Sequence, residues 1–182
     1  GGEDSHLCGC IEPVDFPRGM VLMIDVTEAA GGNEALVLKL IRAMETGDLP
    51  EVIKTVCTEG FVWANSGLAV INGQAELFEQ MAQGGFAGQI PILKTMTHFS
   101  AELIHIASKG DIVFTERVDH HWDEQGRDLM TPHICGVAEI REGRISAFRD
   151  FYDVVCYSQV PTEVQGGYDL ASFKEAQLNG TK

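Results

Sequence analysis

Basic residues are scarce in this sequence of 182 residues. Its 13 lysines and arginines stand against 27 aspartates and glutamates, so the formal net charge is −14 at pH 7. Such a surface repels the phosphate backbone of a nucleic acid and the anionic headgroups of a membrane. We therefore expect neither a nucleic-acid partner nor binding to an anionic membrane surface.

Long apolar runs are also missing. A membrane-spanning helix requires roughly 20 apolar residues, whereas the longest candidate runs only from Met20 to Val26 and is interrupted by Asp25. The first four residues, Gly-Gly-Glu-Asp, have neither the basic start nor the apolar stretch of a secretory signal. The sequence thus predicts no membrane span and a cytoplasmic location.

Disulfide bonds are not expected, because the cysteines form an odd and scattered set, which favours a reducing compartment. Cys8 and Cys10 are close enough to share a metal ion, but a zinc site needs a second pair of ligands that the sequence does not supply. We interpret these two as thiols of a loosely ordered tail, and we predict no metal and no cofactor. The five positions are Cys8, Cys10, Cys57, Cys135 and Cys156.

The length and the composition, with 45% apolar and 22% charged residues, are typical of one globular domain. Residues 1–30 are rich in turn formers and are interpreted as an N-terminal extension. Residues 31–156 form the predicted domain. Residues 157–182 are expected to be a surface tail, with a short helix near residues 171–177.

Apolar periodicity changes along the domain from a helical spacing to a spacing of two. Helices are predicted from Asn33 to Gly47, from Asp48 to about Cys57, and over residues 74–83. Strands are predicted at residues 61–65, 95–107, 111–122, 129–140 and 144–155, and glycine-containing hairpin turns join the last four of these. Helices followed by an antiparallel meander indicate an α+β fold in which the helices cover one face of a curved sheet.

Charged residues interrupt the apolar pattern of two strands. Arg117, Asp119 and His121 share one face of their strand, and Asp150 shares a face with Phe148 and Tyr152, because side chains alternate along a strand. One interpretation is an exposed ion pair, which stabilises a protein by only about 0–1 kcal/mol. The other is a group of charges in a dry cavity, where they are usually functional. Alternation alone does not decide between the two.

Two motifs resemble the limonene-1,2-epoxide hydrolase family. The segment Val113-Phe-Thr-Glu-Arg-Val-Asp119 is similar to the family's strand with the catalytic arginine and acid. The segment Gly136-Val-Ala-Glu-Ile-Arg-Glu-Gly-Arg-Ile145, followed by Phe148-Arg-Asp-Phe-Tyr-Asp153, resembles its closing hairpin with a second aspartate. Asp119 and Asp150 are 31 residues apart, which fits the family pattern.

This resemblance implies a cone-shaped α+β fold of the ketosteroid-isomerase and nuclear-transport-factor type. Its helices would pack on the concave face of the sheet around an internal pocket, and the protein would be a homodimer. The implied activity is hydrolysis of a small or medium apolar epoxide by one-step attack of water, without metal or cofactor. Asp150 would be the general base, Asp119 the general acid, and Arg117 would lie between them, while Asn65 would help to position the water.

One position departs from the family pattern. The family usually has a tyrosine two residues before the asparagine, but this chain has Trp63, whose indole N–H donates a hydrogen bond and cannot accept one. An isomerase or cyclase of the same fold, or an apolar-ligand-binding domain without activity, therefore remains an alternative. The residues predicted to contact a substrate are Trp63, Phe148, Tyr152, Met81 and Phe78.

Histidines close to the charged strand are a further candidate set. His120 and His121 are adjacent and so face opposite sides of the strand, which prevents them from binding one metal ion. His133 is predicted to lie across the hairpin, near Arg117. A supporting histidine is favoured over a catalytic one.

Overall fold

Residues 23–161 are described by the computed structural model of this protein. Cys8, Cys10 and the helix predicted near residues 171–177 lie outside the described residues, as do parts of the predicted extension and tail. The domain boundaries drawn at residues 31 and 156 remain predictions.

The helices begin and end close to the turn-forming residues of the sequence. Gly47 ends the first helix with a φ of 82°, a left-handed conformation that glycine adopts without a steric penalty. A short fourth helix follows Gly84, in a segment for which the sequence predicts no element. The α-helices of the described part are α1 (Gly32–Thr46), α2 (Leu49–Val56), α3 (Gly73–Ala82) and α4 (Gly85–Gln89).

A six-stranded sheet forms the other layer, in the order β2-β1-β6-β5-β4-β3. All neighbouring pairs are antiparallel except β1 and β6, which run parallel. The predicted α+β class with a curved, mostly antiparallel sheet is confirmed. The strands are β1 (Cys57–Asn65), β2 (Ile71–Asn72), β3 (Met96–Lys109), β4 (Ile112–Asp123), β5 (His133–Arg141) and β6 (Arg144–Phe151).

Two strand ends differ from the prediction for identifiable reasons. β5 begins at His133 rather than at residue 129, because Pro132 has no N–H for the ladder. Leu129 is apolar because it packs with Cys156 in a small second core, not because it belongs to a strand. β6 ends at Phe151 rather than near residue 155, since the side chain of Asp153 accepts from the backbone N–H of Val155 and starts a 3-10 helix.

The main hydrophobic core lies between α1 and the sheet. Helical spacing places Val37, Leu38 and Ile41 on the buried side of α1, where each is fully buried against apolar residues of the strands. Phe61 of β1 and Ile145 of β6 are buried in the same cluster. None of the helices in residues 23–161 has the length and apolar character that crossing a membrane requires.

Glu45 of α1 is a buried carboxylate that joins three segments. Its oxygens accept from the backbone N–H of Ile24 at 3.0 Å and from that of Ala101 in β3 at 2.9 Å, and Arg42 lies 3.7 Å away. Ile24 is itself buried in the main core. Burial raises the pKa of Glu45 from 4.5 to about 7, although the two backbone hydrogen bonds oppose this effect.

We predict that Glu45 makes the free energy of unfolding fall as pH rises from 5 to 8. An acid whose pKa is higher in the folded state binds its proton more tightly there, so stability is lost once the unfolded chain has released the proton. A shift from 4.5 to about 7 corresponds to roughly 3 kcal/mol. Relative to the wild type, Glu45→Gln should therefore gain about 2–3 kcal/mol between pH 5 and pH 8 in urea denaturation.

The matched control is Glu51→Gln, which removes an exposed carboxylate of α2. Its stability difference from the wild type should stay constant with pH to within about 0.5 kcal/mol. Equal pH profiles for the two variants would refute the role given to Glu45.

Candidate active site

The guanidinium of Arg117 lies fully buried between two aspartates. Its Nε is 2.8 Å from Asp119 Oδ1 and its Nη2 is 3.2 Å from Asp119 Oδ2. On the other side, Nη1 and Nη2 donate to Asp150 Oδ1 and Oδ2 at 3.0 and 2.7 Å. Both carboxylates are thus held in bidentate pairs, the geometry in which arginine fixes a carboxyl group most firmly.

Sheet pairing brings these three side chains together. Arg117 and Asp119 are two residues apart on β4 and share a face, while Asp150 lies two strands away on β6. The strand between them, β5, places Gly136 opposite both Thr115 and Asp150. A Cβ atom at Gly136 would lie 2.8 Å from Arg117 Nη1 and 3.0 Å from Asp150 Oδ1. Because Gly136 has no side chain, the guanidinium of Arg117 has room to pass over β5 and reach Asp150.

An aromatic ring packs against one face of the Arg117 guanidinium. Arg117 Cζ lies 5.4 Å from the ring centroid of Phe148, which is fully buried on β6. A cation over an aromatic face is stabilised by the ring's electrons, by about 2 kcal/mol or more when it is desolvated. Phe148 therefore belongs to the floor of the site.

The electrostatics of the site favour one proton being retained on the two aspartates. Two carboxylates and one guanidinium sum to −1 when all are ionised. Burial raises the pKa of Asp150, Arg117 opposes this shift, and the nearby Asp119 adds to it. Burial disfavours the cation of Arg117, but Asp119 and Asp150 outweigh it and its pKa is raised. Arg117 therefore stays charged.

Asn65 stands beside Asp150 because β1 and β6 run parallel, with these two residues as register partners. The hydroxyl oxygen of Tyr152 lies 3.3 Å from Asn65 Oδ1 and 2.8 Å from the hydroxyl oxygen of Tyr157. The hydroxyl of Tyr157 donates to the backbone oxygen of Ser66. The polar groups of Asn65, Tyr152 and Tyr157 thus extend the site from Asp150 along the ends of β1 and β6.

These side chains open into a largely apolar pocket of about 470 Å³. His121 also faces it, and its Nδ1 lies 2.7 Å from the backbone oxygen of Met130. Burial lowers the pKa of His121, so the ring is neutral, carries its hydrogen on Nδ1 and leaves Nε2 as an acceptor. Apolar residues of the wall include Met44, Leu77, Met81, Phe86, Leu93 and Phe99.

Trp63 forms part of the wall as an apolar surface. Its ring makes edge contacts with Phe61, Phe86 and Phe148, at centroid distances of 5.8, 5.6 and 6.1 Å. Its Nε1 is buried and has no hydrogen-bond partner within residues 23–161. Trp63 thus offers the pocket no hydroxyl group.

The structure brings together all four residues predicted to carry the chemistry, namely Arg117, Asp119, Asp150 and Asn65. Of the predicted substrate contacts, Trp63, Met81 and Tyr152 line the pocket. The other two do not line it, since Phe148 lies against the guanidinium of Arg117 and Phe78 packs in the main core, and their contact with a substrate remains a prediction.

Leu77 and Met81 of α3 line the pocket, whereas Phe78 does not. Its ring packs against the main core instead, with Lys54 Nζ 5.7 Å from the centroid. His133 lies across the hairpin as predicted, but on the face opposite to the Arg117 side chain. It pairs with Val118 and lies 2.8 Å from Glu116 Oε1 on the other face of the sheet.

Sequence reasoning missed two features of the site. Gly136 looked like an ordinary strand residue, and only the register of three strands reveals that its missing side chain is needed. Tyr157 was assigned to the tail, although its hydroxyl contacts Tyr152. A tyrosine five residues after another carries no periodic signal, because the intervening 3-10 helix is short. Within residues 23–161, no three metal-ligating side chains converge.

We predict that Gly136→Ala damages the site. The new methyl group would overlap Thr115 Oγ1 and lie 2.8 Å from Arg117 Nη1, so it must displace the guanidinium or the sheet. Overpacking of this kind typically costs about 1–3 kcal/mol. Gly60→Ala in β1 is the matched control, since nothing lies within 4 Å of its added Cβ. Denaturation should separate the two variants, and equal stabilities would contradict the packing argument.

Comparisons with known proteins agree on the fold. An LEH-like epoxide hydrolase of M. tuberculosis matches 82% of this chain and 96% of its own, with a TM-score of 0.54 and 21% identity. A putative SnoaL-like polyketide cyclase from Jannaschia sp. matches 71% of this chain and 94% of its own, with a TM-score of 0.54 and 14% identity.

An NTF2-like protein of unknown function from Burkholderia pseudomallei has a TM-score of 0.56 at 15% identity, over 69% of this chain and 93% of its own. Similarities at these identities show the fold alone. The family is shown by a separate finding, because residues 32–160 match the model of the limonene-1,2-epoxide hydrolase catalytic domain. The chain belongs to the limonene-1,2-epoxide hydrolase family.

Proposed function

We propose that this protein hydrolyses a small or medium apolar epoxide to a vicinal diol. The observation that carries the proposal is a pair of buried aspartates, held by one arginine, at one end of an apolar pocket. A protein that only binds apolar ligands gains nothing from two buried carboxyl groups. An enzyme that must donate one proton and accept another needs both.

The reaction consumes one water. As a water oxygen attacks an epoxide carbon, the carbon–oxygen bond breaks, Asp119 gives its proton to the released oxygen and Asp150 takes a proton from the water. The diol then leaves, and the proton on Asp150 must be exchanged for one on Asp119 before the next turnover. Arg117 holds both carboxyl groups in place and stabilises whichever is ionised.

The division of roles between the aspartates rests on their surroundings. The raised pKa of Asp150 by itself favours this residue as the acid. However, Asn65 stands beside Asp150 in the register of β1 and β6, so a water bound there has a polar partner in addition to the base. A carboxylate with a raised pKa is also the stronger base near neutral pH. We therefore assign Asp150 as the base and Asp119 as the acid.

The first prediction concerns the source of oxygen in the product. A panel of terpene, styrene and fatty-acid epoxides in ¹⁸O-labelled water should give a diol that carries one label, read by mass spectrometry. Asp119→Asn and Asp150→Asn should each reduce turnover by about 10²–10⁴-fold. Arg117 retains one carboxylate partner in either variant, so we expect both to fold, which circular dichroism would verify. Full activity of the Asp150→Asn variant would exclude the mechanism.

A second prediction separates base from acid. Azide is a nucleophile that needs no deprotonation, and Asp150→Ala leaves room for it beside Asn65. Azide should therefore restore epoxide opening in Asp150→Ala, with an azido alcohol as product. It should not restore Asp119→Ala, because that variant has lost the proton donor. Rescue of the Asp119 variant alone would reverse the two assignments.

An isomerase or cyclase acting on an apolar substrate is the second candidate. The observation that favours it is Trp63, which supplies no hydroxyl to hold a water. The same aspartates would then move a proton between two positions of the substrate. A product of unchanged mass and without ¹⁸O would identify this reaction. The homodimer and the cytoplasmic location remain predictions of the sequence.

A further inference from the structure

The side chains of two tyrosines and one backbone carbonyl group form a chain of hydrogen bonds that ends at Asn65. The Tyr157 hydroxyl oxygen is 2.5 Å from the backbone oxygen of Ser66 and 2.8 Å from the Tyr152 hydroxyl oxygen. The Tyr152 oxygen lies 3.3 Å from Asn65 Oδ1. Burial raises the pKa of both phenols, so each keeps its hydrogen at neutral pH.

Counting hydrogens fixes the direction of this chain. A backbone carbonyl only accepts, so the single hydrogen of Tyr157 is used on Ser66. The 2.8 Å contact between the two phenols then requires the single hydrogen of Tyr152. No hydroxyl hydrogen remains for Asn65, whose oxygen would then face the Tyr152 oxygen without a hydrogen between them. Turning the amide end for end places the NH₂ at this contact and supplies the donor.

The opposite arrangement is unfavourable. If Tyr152 donated to the carbonyl oxygen of Asn65, the two phenol oxygens would stand 2.8 Å apart with no hydrogen between them. Such a contact between two acceptors is repulsive, and it lies in a partly buried place where unmade hydrogen bonds are costly. The two ends of an asparagine amide have the same shape, so its hydrogen-bond partners determine which end points where.

We propose that Tyr152 and Tyr157 are positioning residues that turn the carbonyl oxygen of Asn65 towards Asp150 and the pocket. This inference rests on the proposed hydrolase function. A water between the Asn65 oxygen and the Asp150 carboxylate donates one hydrogen to each. Its lone pair is then free for the epoxide carbon. With the amide reversed, the NH₂ would bind that lone pair and oppose the attack.

This series of hydrogen bonds also explains how the site could function although Trp63 supplies no hydroxyl group. A hydroxyl that orients the water-binding asparagine is supplied by Tyr152, just beyond the end of β6, rather than by β1. Ser66 anchors the arrangement, because its backbone N–H donates to the Asp150 backbone oxygen at 3.1 Å and its Oγ accepts from the Tyr152 N–H at 3.1 Å.

Phenylalanine variants test this direction. In Tyr157→Phe the hydrogen of Tyr152 is released and turns to the Asn65 oxygen, which reverses the amide. We expect kcat to fall by about 10–100-fold, with KM for the epoxide nearly unchanged, since Tyr157 does not line the pocket. The double variant Tyr152→Phe/Tyr157→Phe removes the released hydrogen as well. It should recover to the milder level of Tyr152→Phe alone.

A purely structural role predicts the opposite order, because two lost hydrogen bonds should harm the protein at least as much as one. A double variant as slow as Tyr157→Phe would therefore overturn the proposal. In an Asn65→Ala background, Tyr157→Phe should cause no further loss of kcat, since there is no amide left to reverse. Melting temperatures of all variants check that each one folds.

A readout without turnover keeps this inference separate from the proposed function. The Asn65 amide hydrogens should show a nuclear Overhauser effect to the ring hydrogens of Tyr152, assigned by its absence in Asn65→Asp, and weakened in Tyr157→Phe. If no epoxide is hydrolysed but this signal is present, the orientation stands and the hydrolase proposal fails. If the signal is missing in the wild type, the orientation itself is wrong.

Discussion

The buried ion pairs of Arg117 are the interaction on which the rest of the site depends. Two carboxyl groups in an apolar pocket repel each other and lose their hydration, and only a cation between them makes their joint burial tolerable. The guanidinium satisfies four carboxylate oxygens with its fork of N–H groups, a task that a lysine ammonium cannot perform. Arg117 also rests on Phe148. Its position therefore requires a glycine at 136 and an aromatic floor on β6.

Strand pairing between distant parts of the chain supplies this geometry. The antiparallel strands β4, β5 and β6 set the reach from Arg117 to Asp150, and the parallel pair of β1 with β6 adds Asn65. The helices contribute chiefly the apolar wall. The sheet is thus the rigid support for the polar groups, and the apolar elements around it exclude water, so that each charge interaction inside is strengthened.

Local sequence signals predict most of the helices and strands and the faces of the charged residues. The remaining features depend on the register between strands that are distant in the sequence. Apolar periodicity and turn-forming residues located α1 and α2, although neither helix has the side-chain cap expected at Asn33 or Asp48. Alternation placed Arg117 with Asp119 and Asp150 with Tyr152. Alternation did not reveal which face of β4 is buried, since both carry charges, and the family resemblance supplied that choice. The parallel pairing of β1 and β6 has no local signal. Periodicity shows which side of an amphipathic helix is apolar but not which apolar residue lines the pocket, so it could not separate Met81 from Phe78.

Charge balance also restricts what this pocket can accept. With one proton retained, Arg117, Asp119 and Asp150 sum to zero, and a neutral substrate leaves that balance unchanged. A carboxylate placed inside the pocket would add an uncompensated charge at a depth where even the native acids need a bidentate arginine. The protein's net charge of −14 opposes such an anion already during its approach. Under the proposed mechanism, a neutral apolar epoxide is therefore favoured over an acidic one, unless the acid group of the substrate stays in water at the pocket mouth.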